Sequence, residues 1–459
     1  MRIAIIGAGY VGLTTSVCLV QLGHHVTCCD AVEERVERLK RGEVPIFEPG
    51  LDELLESGLA ERRLSFTSSI RESVTDAAAI FLTVGTPSDA NGDIDLRQLD
   101  AAARSIAPYL ESGAVVIIKS TVTAGTSARI REAIAEARRS LDFSVASNPE
   151  FLREGSAISD FMCPDRIVFG ADDSRSAKVL REIYAPLEAE GAEVLATSTT
   201  NAELIKHAAN AFLALKIGFI NDVSDLCEKA GGDVMAVAAG IGLDHRIGRN
   251  FLMPGPGFGG SCFPKDTRAF AATGRRFGSR QPLIELLIER NELRKRRMAE
   301  RIIVEGGLRR GARVGILGLA FKARTDDVRE SPALSIIEHL QAAGIDVVAH
   351  DPQASENAAR LNPAIRIVGN AYDAAVGADA LAVLTEWDEY RALDMARLAS
   401  LMRRRIIFDF RNITPEAMGE QQEGLVSIRL GRRSIRVEER MSGGSRTAFG
   451  NRSVAAHRG

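Results

Sequence analysis

The sequence predicts an α/β protein in which two doubly wound parallel-sheet domains are joined by a long central helix and a helical domain. Short apolar segments rich in β-branched residues alternate with helical segments up to about residue 200, and this alternation resumes at Ala312. Such alternation is typical of parallel sheets that carry helices on both faces. Between the two regions, an unbroken helical pattern starts at Thr200, which forms a capping-box spacing with Glu203, and ends at Gly231-Gly232.

Four regions follow from this pattern. We expect a first α/β domain in residues 1–199, a helical domain in 200–305, a second α/β domain in 306–430, and an Arg/Ser/Gly-rich tail in 431–459 that lacks periodicity and should be disordered. In the first α/β domain, strands are predicted at 2–7, 25–30, 79–84, 114–119, 143–147 and 166–170. In the second, they are predicted at 313–317, 346–351, 380–384 and 406–410.

The composition excludes several classes of protein. The chain has 459 residues, of which 45% are hydrophobic and 26% charged, and its net charge is -3. This apolar content argues against disorder, and the charge offers no basic field for nucleic acid or a membrane surface. No uninterrupted apolar stretch is long enough to span a membrane. The six cysteines show neither a CxxC motif nor metal-ligand spacing, so we expect a reducing cytoplasm and no metal site.

The N-terminal segment contains a dinucleotide-binding fingerprint. Residues 1–20 are apolar enough for a signal peptide, but Gly7, Gly9 and Gly12 favour a buried strand, a loop and a helix. These glycines form GxGxxG between the predicted strand and helix, with Tyr10 and Val11 inside the motif, and Asp30 ends the next strand. This is the context of a Rossmann-type site, in which the acidic residue binds the ribose and favours NAD over NADP.

Two further strand ends should face the same cofactor. Thr83 to Pro87, with Thr86 inside it, and Lys119 to Thr121 each follow a predicted strand. Ligands of open α/β sheets lie beyond the carboxyl ends of the strands. For either segment alone, ordinary capping by Thr and Ser would be the more common explanation.

A reactive thiol is predicted in the Gly-rich segment 257–266. Its glycines would let the backbone wrap closely around a ligand. Cys262 directly precedes a predicted helix, and a helix N-terminus lowers the pKa of a thiol. Lys265 adds positive charge nearby, and Asp266 lies four positions after the cysteine. The segment therefore suggests an activated nucleophile beside an acid/base group.

Two pairs of polar residues have helical spacing. Glu150 and Glu154 would share one side if their segment were helical, and one of them could act as a general base. Lys206 and Asn210 should share a face of the long helix, where they could stabilise an oxyanion. For both pairs, simple exposure to solvent is the alternative.

Together these residues predict an NAD-dependent enzyme with a nucleophilic thiol. A thiol is not needed to oxidise an alcohol to a ketone, but it can trap an aldehyde, lose a hydride as a thiohemiacetal and leave a thioester for hydrolysis. That chemistry consumes two NAD per substrate. A two-electron hydroxyacid dehydrogenase would leave Cys262 unexplained, and a non-catalytic NAD-binding protein would not need the reactive residues.

Seven segments, in this order, resemble the UDP-glucose 6-dehydrogenase family. They are GAGYVG at 7–12, TVGTP at 83–87, KSTV at 119–122, NPEFLREG at 148–155, AELIKHAANAFLALKI at 202–217, GFGGSCFPKD at 257–266 and FKARTDDVRES at 321–331. The resemblance implies an NAD-binding domain, a central dimerisation domain and a C-terminal UDP-binding domain. It also implies UDP-glucose as substrate and a homodimer or higher homo-oligomer. GDP-mannose and UDP-N-acetylmannosamine remain as alternative substrates.

The resemblance further implies individual roles. Cys262 would be the nucleophile; Lys206 and Asp266 would assist the first oxidation, and Lys206 with Asn210 would stabilise the oxyanion. Glu150 would act as base in thioester hydrolysis, with Thr121 and Asp266 holding the water. The implied cofactor site comprises Gly7, Gly9, Tyr10, Val11, Gly12, Asp30, Thr83, Thr86, Thr121, Glu154, Lys265 and Arg329. The implied substrate site comprises Phe151, Leu152, Glu154, Lys206, Asn210, Arg246, Phe251, Phe258, Gly259 and Lys322.

Overall fold

The structure, a computed structural model, describes residues 1–414 and 425–432 and the backbone of 435–436. It contains two mainly parallel sheets joined by a helical region. The first sheet and its helices comprise β1 (Arg2–Ile6), α1 (Tyr10–Gln21), β2 (His25–Cys29), α2 (Glu33–Lys40), α3 (Leu51–Ala60), β3 (Leu64–Thr67), α4 (Ile70–Val74), β4 (Ala79–Leu82), α5 (Arg97–Ile106), a 3-10 turn (Ala107–Tyr109), β5 (Val115–Ile118), α6 (Thr126–Ala137), β6 (Ser144–Ser147), α7 (Ala157–Met162), β7 (Ile167–Ala171), α8 (Ser174–Ala189) and β8 (Val194–Thr197).

The helical region and the second sheet follow. They comprise α9 (Thr199–Ala230), α10 (Val234–Gly242), α11 (Phe263–Arg276), α12 (Pro282–Glu305), β9 (Arg313–Leu317), α13 (Pro332–Ala342), β10 (Asp346–His350), α14 (Ser355–Leu361), β11 (Arg366–Ile367), α15 (Ala371–Ala375), β12 (Ala380–Val383), α16 (Asp388–Arg391), α17 (Met395–Leu401), β13 (Ile406–Asp409), β14 (Val426–Arg429) and β15 (Ile435–Arg436). The predicted fold class, two parallel-sheet α/β domains with a long central helix, is confirmed.

The first sheet has the strand order β3-β2-β1-β4-β5-β6-β7-β8. All neighbours are parallel except β6 and β7, which pair antiparallel. Because of this reversal, the chain from 148 to 166 begins and ends at the edge where β1, β4 and β5 end, which is where α/β sheets bind ligands. The predictions missed β3, whose sequence alternates apolar and polar residues, and β8, which has only four residues, ends the sheet and is only partly buried.

The second sheet has the order β11-β10-β9-β12-β13-β14-β15, with only the last pair antiparallel among the described strands. Its four predicted strands are present, and β11, β14 and β15 were missed because they are short or rich in polar residues. Residues 431–432, at the start of the predicted tail, bind the central helices: the backbone of Gly431 binds Val234 and Glu228, and Arg432 pairs with Asp233 at 2.7 Å. Within the rest of the predicted tail, the structure describes only the backbone of β15, and residues 433–434 and 437–459 lie outside the described residues.

The central helix α9 begins with a different cap from the one predicted. Its N-cap is Ser198, whose hydroxyl accepts the N–H of Asn201. The carboxylate of Glu203 instead accepts the backbone N–H groups of Gly125 and Ser127, both at 2.7 Å, at the N-terminus of α6. The predicted capping box between Thr200 and Glu203 was therefore wrong. The carboxylate of Glu203 binds buried N–H groups at the start of a neighbouring helix instead.

No helix in the described part of the chain is long and apolar enough to cross a membrane.

Candidate active site

A cavity of about 650 Å³ lies between the carboxyl edge of the first sheet, α9, the Cys262 loop and the second α/β domain. Ten of the predicted substrate and catalytic residues line it: Glu150, Phe151, Leu152, Glu154, Lys206, Asn210, Phe251, Gly259, Cys262 and Lys322. These residues come from five separate segments of the sequence. The fold therefore gathers them into one site.

Cys262 is the N-cap residue of α11 and lies partly exposed in the cavity wall. Its surroundings do not produce the thiolate that the helix N-terminus predicted. Desolvation, aided by the charges of Glu150 and Asp266, raises the pKa of this thiol to about 11, although Lys206 opposes the shift. The resting thiol is therefore protonated at neutral pH, and its reaction requires a proton acceptor.

Lys206 and Glu150 form a buried ion pair, with Nζ 3.0 Å from Oε1. Desolvation works to lower the pKa of Lys206, but the charges of Glu150 and Asp266 help to outweigh it, so that pKa is raised. Lys206 is thus a cation at neutral pH. The second oxygen of Glu150 accepts the backbone N–H of Leu152 at 2.6 Å.

Asn210 and Asp266 bind each other behind the thiol. The amide of Asn210 donates to Oδ2 of Asp266 at 2.6 Å, and Lys265 contacts Oδ1 at 2.7 Å. Asp266 is fully buried, and desolvation opposes its ionisation, yet the charges of Lys265, His207 and Lys206 lower its pKa. Asp266 is therefore a carboxylate at neutral pH. As predicted, Lys206 and Asn210 share a buried side of α9 rather than a solvated one.

Glu154 joins three parts of the chain. Its carboxylate accepts the hydroxyl protons of Ser261 and Thr325, both at 3.0 Å, and lies 3.4 Å from Arg329. Lys322 donates to its backbone oxygen at 2.5 Å. Desolvation and the nearby charge of Asp327 raise the pKa of Glu154 to about 7.

The segment that carries Glu150 and Glu154 is a loop. The helix on which the two glutamates would have shared one side does not form. Helix α7 starts only at Ala157. The buried carboxylate of Glu48 binds the loop through the N–H groups of Gly155, at 2.6 Å, and Ala157, at 2.7 Å, and accepts the hydroxyl of Tyr10. The two glutamates consequently face different partners. Glu48 was missed because it lies in an unremarkable loop far away in the sequence.

Lys119 also lines the cavity, and the prediction placed its segment only beside the cofactor. Its ammonium group is buried and donates to Oδ1 of Asn148 at 3.1 Å and to the hydroxyl of Tyr184 at 3.4 Å. Desolvation lowers the pKa of Lys119 to about 8.

The predicted dinucleotide groove has the expected shape. Gly7 has φ of 109°, and a Cβ on Gly12 would overlap the carbonyl oxygen of Gly7, so both positions require glycine. Asp30 is held by the N–H groups of Ala8, at 2.8 Å, and Val32, at 2.9 Å, and pairs with Arg35. A Cβ on Gly9 would meet only open space at the N-terminus of α1, where a pyrophosphate binds in such sites. These residues fit NAD.

The remaining predicted cofactor residues lie around this groove. The hydroxyl of Thr83 donates to the carbonyl oxygen of Gly7 at 2.8 Å, and that of Thr86 donates to the carbonyl oxygen of Thr121 at 2.9 Å. Tyr10 and Val11 form the first turn of α1.

The structure does not place two of the predicted substrate residues, Arg246 and Phe258, in the cavity wall. Arg246 is exposed, pairs with Asp244 at 2.6 Å and does not line the cavity. Phe258 is buried in a small core with Ala214 and Leu287. Gly259 lines the cavity, but a Cβ there would overlap the carbonyl oxygen of Glu330. This glycine thus permits close packing of the second α/β domain, whereas the sequence suggested that it wraps a ligand.

The part of the chain that the structure describes holds no group of three or more His, Cys, Asp or Glu side chains that could bind a metal ion.

Comparison with known proteins agrees with this geometry. Three domain models of the UDP-glucose/GDP-mannose dehydrogenase family match: the NAD binding domain at 1–188, the central domain at 200–293 and the UDP binding domain at 315–416. The chain is 48% identical to UDP-glucose 6-dehydrogenase of Rhizobium meliloti (strain 1021) over 417 residues, covering 90% of this chain and 95% of that protein.

Two solved structures extend the comparison. A UDP-glucose dehydrogenase from Pyrobaculum islandicum superposes with a TM-score of 0.85 at 41% identity, covering 90% of this chain and 94% of the other. A UDP-D-ManNAc dehydrogenase from Pyrococcus horikoshii has a TM-score of 0.83 at 26% identity and covers 94% of this chain and 99% of the other. The chain with this cavity and this dinucleotide groove belongs to the UDP-glucose/GDP-mannose dehydrogenase family.

Proposed function

We propose that this protein oxidises UDP-glucose to UDP-glucuronate, with two NAD and one water consumed per sugar, through a thioester on Cys262. One observation carries this proposal: the thiol of Cys262 lies in the wall of the same cavity as the Lys206–Glu150 ion pair and Asn210. A thiol beside an oxyanion-stabilising cation suits the capture of an aldehyde and its further oxidation to an acid.

Lys206 would stabilise negative charge on the sugar oxygen during both oxidations. Its raised pKa keeps it cationic, and its ammonium group lies in a buried setting where electrostatic stabilisation is strong. The amide of Asn210 would donate a second hydrogen bond to the same oxygen. The ionised Asp266 holds Asn210 in place and would assist proton movement in the first oxidation.

Glu150 would act as the base in thioester hydrolysis. Its carboxylate lines the cavity and pairs with Nζ of Lys206 at 3.0 Å. Thr121 and Asp266 would help to hold the attacking water. Phe151, Leu152, Phe251 and Lys322, which also line the cavity, would contact the nucleotide sugar.

NAD would supply the hydride acceptor for both oxidations. The Gly7–Gly12 turn and the N-terminus of α1 would hold its pyrophosphate, and Asp30 its ribose. Thr83, Thr86, Thr121, Glu154, Lys265 and Arg329 would complete the cofactor site. The carboxylate of Asp30, beside that ribose, would repel a 2′-phosphate and thereby favour NAD over NADP.

The same chemistry on GDP-mannose or UDP-N-acetylmannosamine is the alternative. The 48% identity to a UDP-glucose 6-dehydrogenase, compared with 26% to a UDP-D-ManNAc dehydrogenase, favours UDP-glucose. A panel of the three nucleotide sugars would separate these possibilities.

We also propose that the protein is a homodimer formed along α9. Phe212, Phe219 and Leu226 follow one another at heptad spacing and are 64%, 58% and 64% exposed, so they form an apolar stripe on one face of the helix. A self-complementary patch of this kind suits a two-fold interface. Sedimentation analysis of Phe219→Asp should show monomers, whereas Leu361→Asp, at a similarly exposed position in α14, should remain dimeric.

Regions 1–199, 200–305 and 306–430 would then serve as the NAD-binding, dimerisation and UDP-binding domains. We place the protein in the cytoplasm, because its six cysteines are all free thiols and four of them are buried.

The deciding experiment is stoichiometric. Purified protein receives limiting UDP-glucose and excess NAD, and NADH absorbance is followed to its endpoint. Two NADH per sugar would establish the four-electron reaction, whereas one NADH would leave only an alcohol dehydrogenase. If no NADH forms with UDP-glucose but two form with another nucleotide sugar, the substrate assignment is wrong and the thioester route stands.

A further inference from the structure

The proposed nucleophile has no evident acceptor for its proton. The thiol of Cys262 is protonated at neutral pH, and its sulfur must lose that proton when it attacks an aldehyde carbon. Two nearby carboxylates are held closely by lysines: Glu150 lies 3.0 Å from Lys206, and Asp266 lies 2.7 Å from Lys265. A third carboxylate, Glu154, has a longer contact of 3.4 Å with its cation, Arg329, and a neighbouring side chain connects it to the thiol.

That side chain is Ser261, which also lines the cavity. Its Oγ lies 3.5 Å from Sγ of Cys262 and donates a hydrogen bond to Oε1 of Glu154 at 3.0 Å. Since the single hydroxyl proton points to the carboxylate, the oxygen of Ser261 is free to accept the thiol proton. Thiol, hydroxyl and carboxylate thus form a continuous chain.

The surroundings of Glu154 suit a proton acceptor. Asp327 faces it as a second negative charge, while Arg329 and Thr325 donate to the carboxylate. Tyr10 and Lys322 lie close by, on the first α/β domain and on the loop that follows β9. Desolvation and Asp327 raise the pKa of Glu154 to about 7, so this group can both hold and release a proton near neutral pH.

We propose that Ser261 passes the thiol proton of Cys262 to Glu154 as the sulfur attacks the aldehyde. The S–H bond breaks while a new O–H bond forms at Ser261; the original O–H bond of Ser261 breaks while one forms at Glu154. The sulfur's electron pair makes the C–S bond, the π pair of the C=O bond moves to the aldehyde oxygen as an oxyanion that Lys206 would stabilise, and no oxidant is involved in this step. Ser261 acts as a relay and Glu154 as the general base. This inference rests on the proposed role of Cys262 as nucleophile.

The test uses the 6-aldehyde of UDP-glucose with the complete enzyme. In the presence of NAD the aldehyde is oxidised to the acid, which requires the thiol; with NADH it is reduced to the alcohol, which does not. We expect Ser261→Ala to slow aldehyde oxidation by about 100-fold, a typical loss for removal of a proton-transfer group, and to change aldehyde reduction by no more than about twofold. Ser261→Thr, which keeps the hydroxyl, should restore most of the rate.

Thr325→Val provides a matched control. It removes the other hydroxyl that donates to Glu154 and leaves the path from Cys262 intact. We expect it to slow aldehyde oxidation by less than about fivefold, because the relay persists, well below the loss at Ser261. In the wild type, oxidation should fall as the pH drops through about 7, because protonated Glu154 cannot accept a proton.

Equal oxidation rates in Ser261→Ala and the wild type would overturn the relay. If Ser261→Ala loses both aldehyde oxidation and aldehyde reduction, the relay is tested in the wild type instead. The measurement is then the solvent isotope effect on single-turnover aldehyde oxidation. A curved dependence of the rate on the fraction of D₂O, as expected for two protons in motion, supports the relay, and a linear dependence overturns it. If the wild type neither oxidises the aldehyde with NAD nor reduces it with NADH, the proposed substrate is refuted instead.

Discussion

The two α/β halves of the molecule are built on the same plan and use it differently. Each has a glycine with positive φ at the end of its first strand: Gly7 at 109° and Gly318 at 100°. Each also has an aspartate after its second strand, Asp30 and Asp351, whose carboxylate accepts backbone N–H groups from the chain that follows that glycine. The two halves differ in the segment that follows this glycine.

In the first half, α1 starts at Tyr10 and leaves an open groove at its N-terminus. In the second half, the chain runs as a loop from Gly318 to Ser331 before α13 begins. That loop carries Lys322, Thr325 and Arg329 to Glu154 in the first half. One half thus offers a ligand groove, and the other closes the cavity.

The two aspartates show the same contrast. Both oxygens of Asp351 are occupied by protein donors: the N–H groups of Leu319, Gln353 and Ala354 and the indole of Trp387 all bind it within 3.1 Å. Among the described residues, Asp30 binds two backbone N–H groups and the side chain of Arg35, which is 39% exposed. A carboxylate saturated by backbone donors stabilises a fold, whereas one with fewer partners can bind a ligand.

The largest effect should come from Cys262, which belongs to neither half and lies where both meet. We expect Cys262→Ala to lower formation of the acid by on the order of 10⁴-fold, because the proposed thiohemiacetal and thioester cannot form without this thiol. The measurement is the rate of UDP-glucuronate formation. Cys163→Ser, which changes an exposed thiol at the rim of the same cavity, should stay within about twofold of the wild type. Full turnover in Cys262→Ala would remove the thioester route.

Asp351→Ala should destabilise the second half. Its loss leaves several buried N–H donors without an acceptor, so we expect the free energy of unfolding to fall by about 3 kcal/mol. Urea unfolding followed by circular dichroism measures this. An unchanged midpoint would contradict the structural role of this carboxylate.

Glu154, at the contact between the halves, should make stability depend on pH. Its pKa in the folded protein, about 7, lies above its ordinary value of 4.5, so folding favours the protonated form. That stability is fully present below pH 4.5 and is lost as the pH rises through about 7. The wild type should therefore lose up to about 3 kcal/mol relative to Glu154→Gln between pH 4.5 and pH 8. A constant difference between the two proteins across this range would show that Glu154 does not titrate there.

Asp30→Ala should produce the smallest of these effects, and in binding rather than folding. We expect the affinity for NAD to fall about tenfold, which corresponds to about 1.4 kcal/mol, because the ribose loses its acceptor. The preference over NADP should weaken as well. Calorimetric titration with both cofactors measures this. If Asp30→Ala lost as much unfolding free energy as Asp351→Ala, the contrast between the two halves would fail.

Much of the fold could be predicted from the sequence because it depends on local patterns. Buried parallel strands are continuously apolar, and α9 has an unbroken helical pattern, so both are readable without tertiary information. The missed strands are short, partly polar or at sheet edges, and they form only because a neighbouring strand offers hydrogen bonds. The partner of Glu203 was misjudged for a similar reason: a distant helix supplied better donors than its own.

The candidate site divides in the same way. Residue types and spacing were enough to indicate the groove at Gly7, Gly9 and Gly12, the thiol at Cys262 and the shared face of Lys206 and Asn210. They could not show that Glu150 and Glu154 face different partners, because the loop that holds them depends on Glu48 from a distant segment. Nor could they show that Gly259 accommodates the carbonyl of Glu330.

The sequence by itself determined the buried parallel strands, the long central helix, the cofactor groove and the kinds of reactive groups, since these follow from periodicity and side-chain chemistry. Only the tertiary structure decided the protonation of those groups. The thiol of Cys262 is protonated and Glu154 has a pKa of about 7 because burial removes water and brings Glu150, Asp266 and Asp327 near them. Desolvation and charge proximity are properties of position in space, and residues remote in the chain set both.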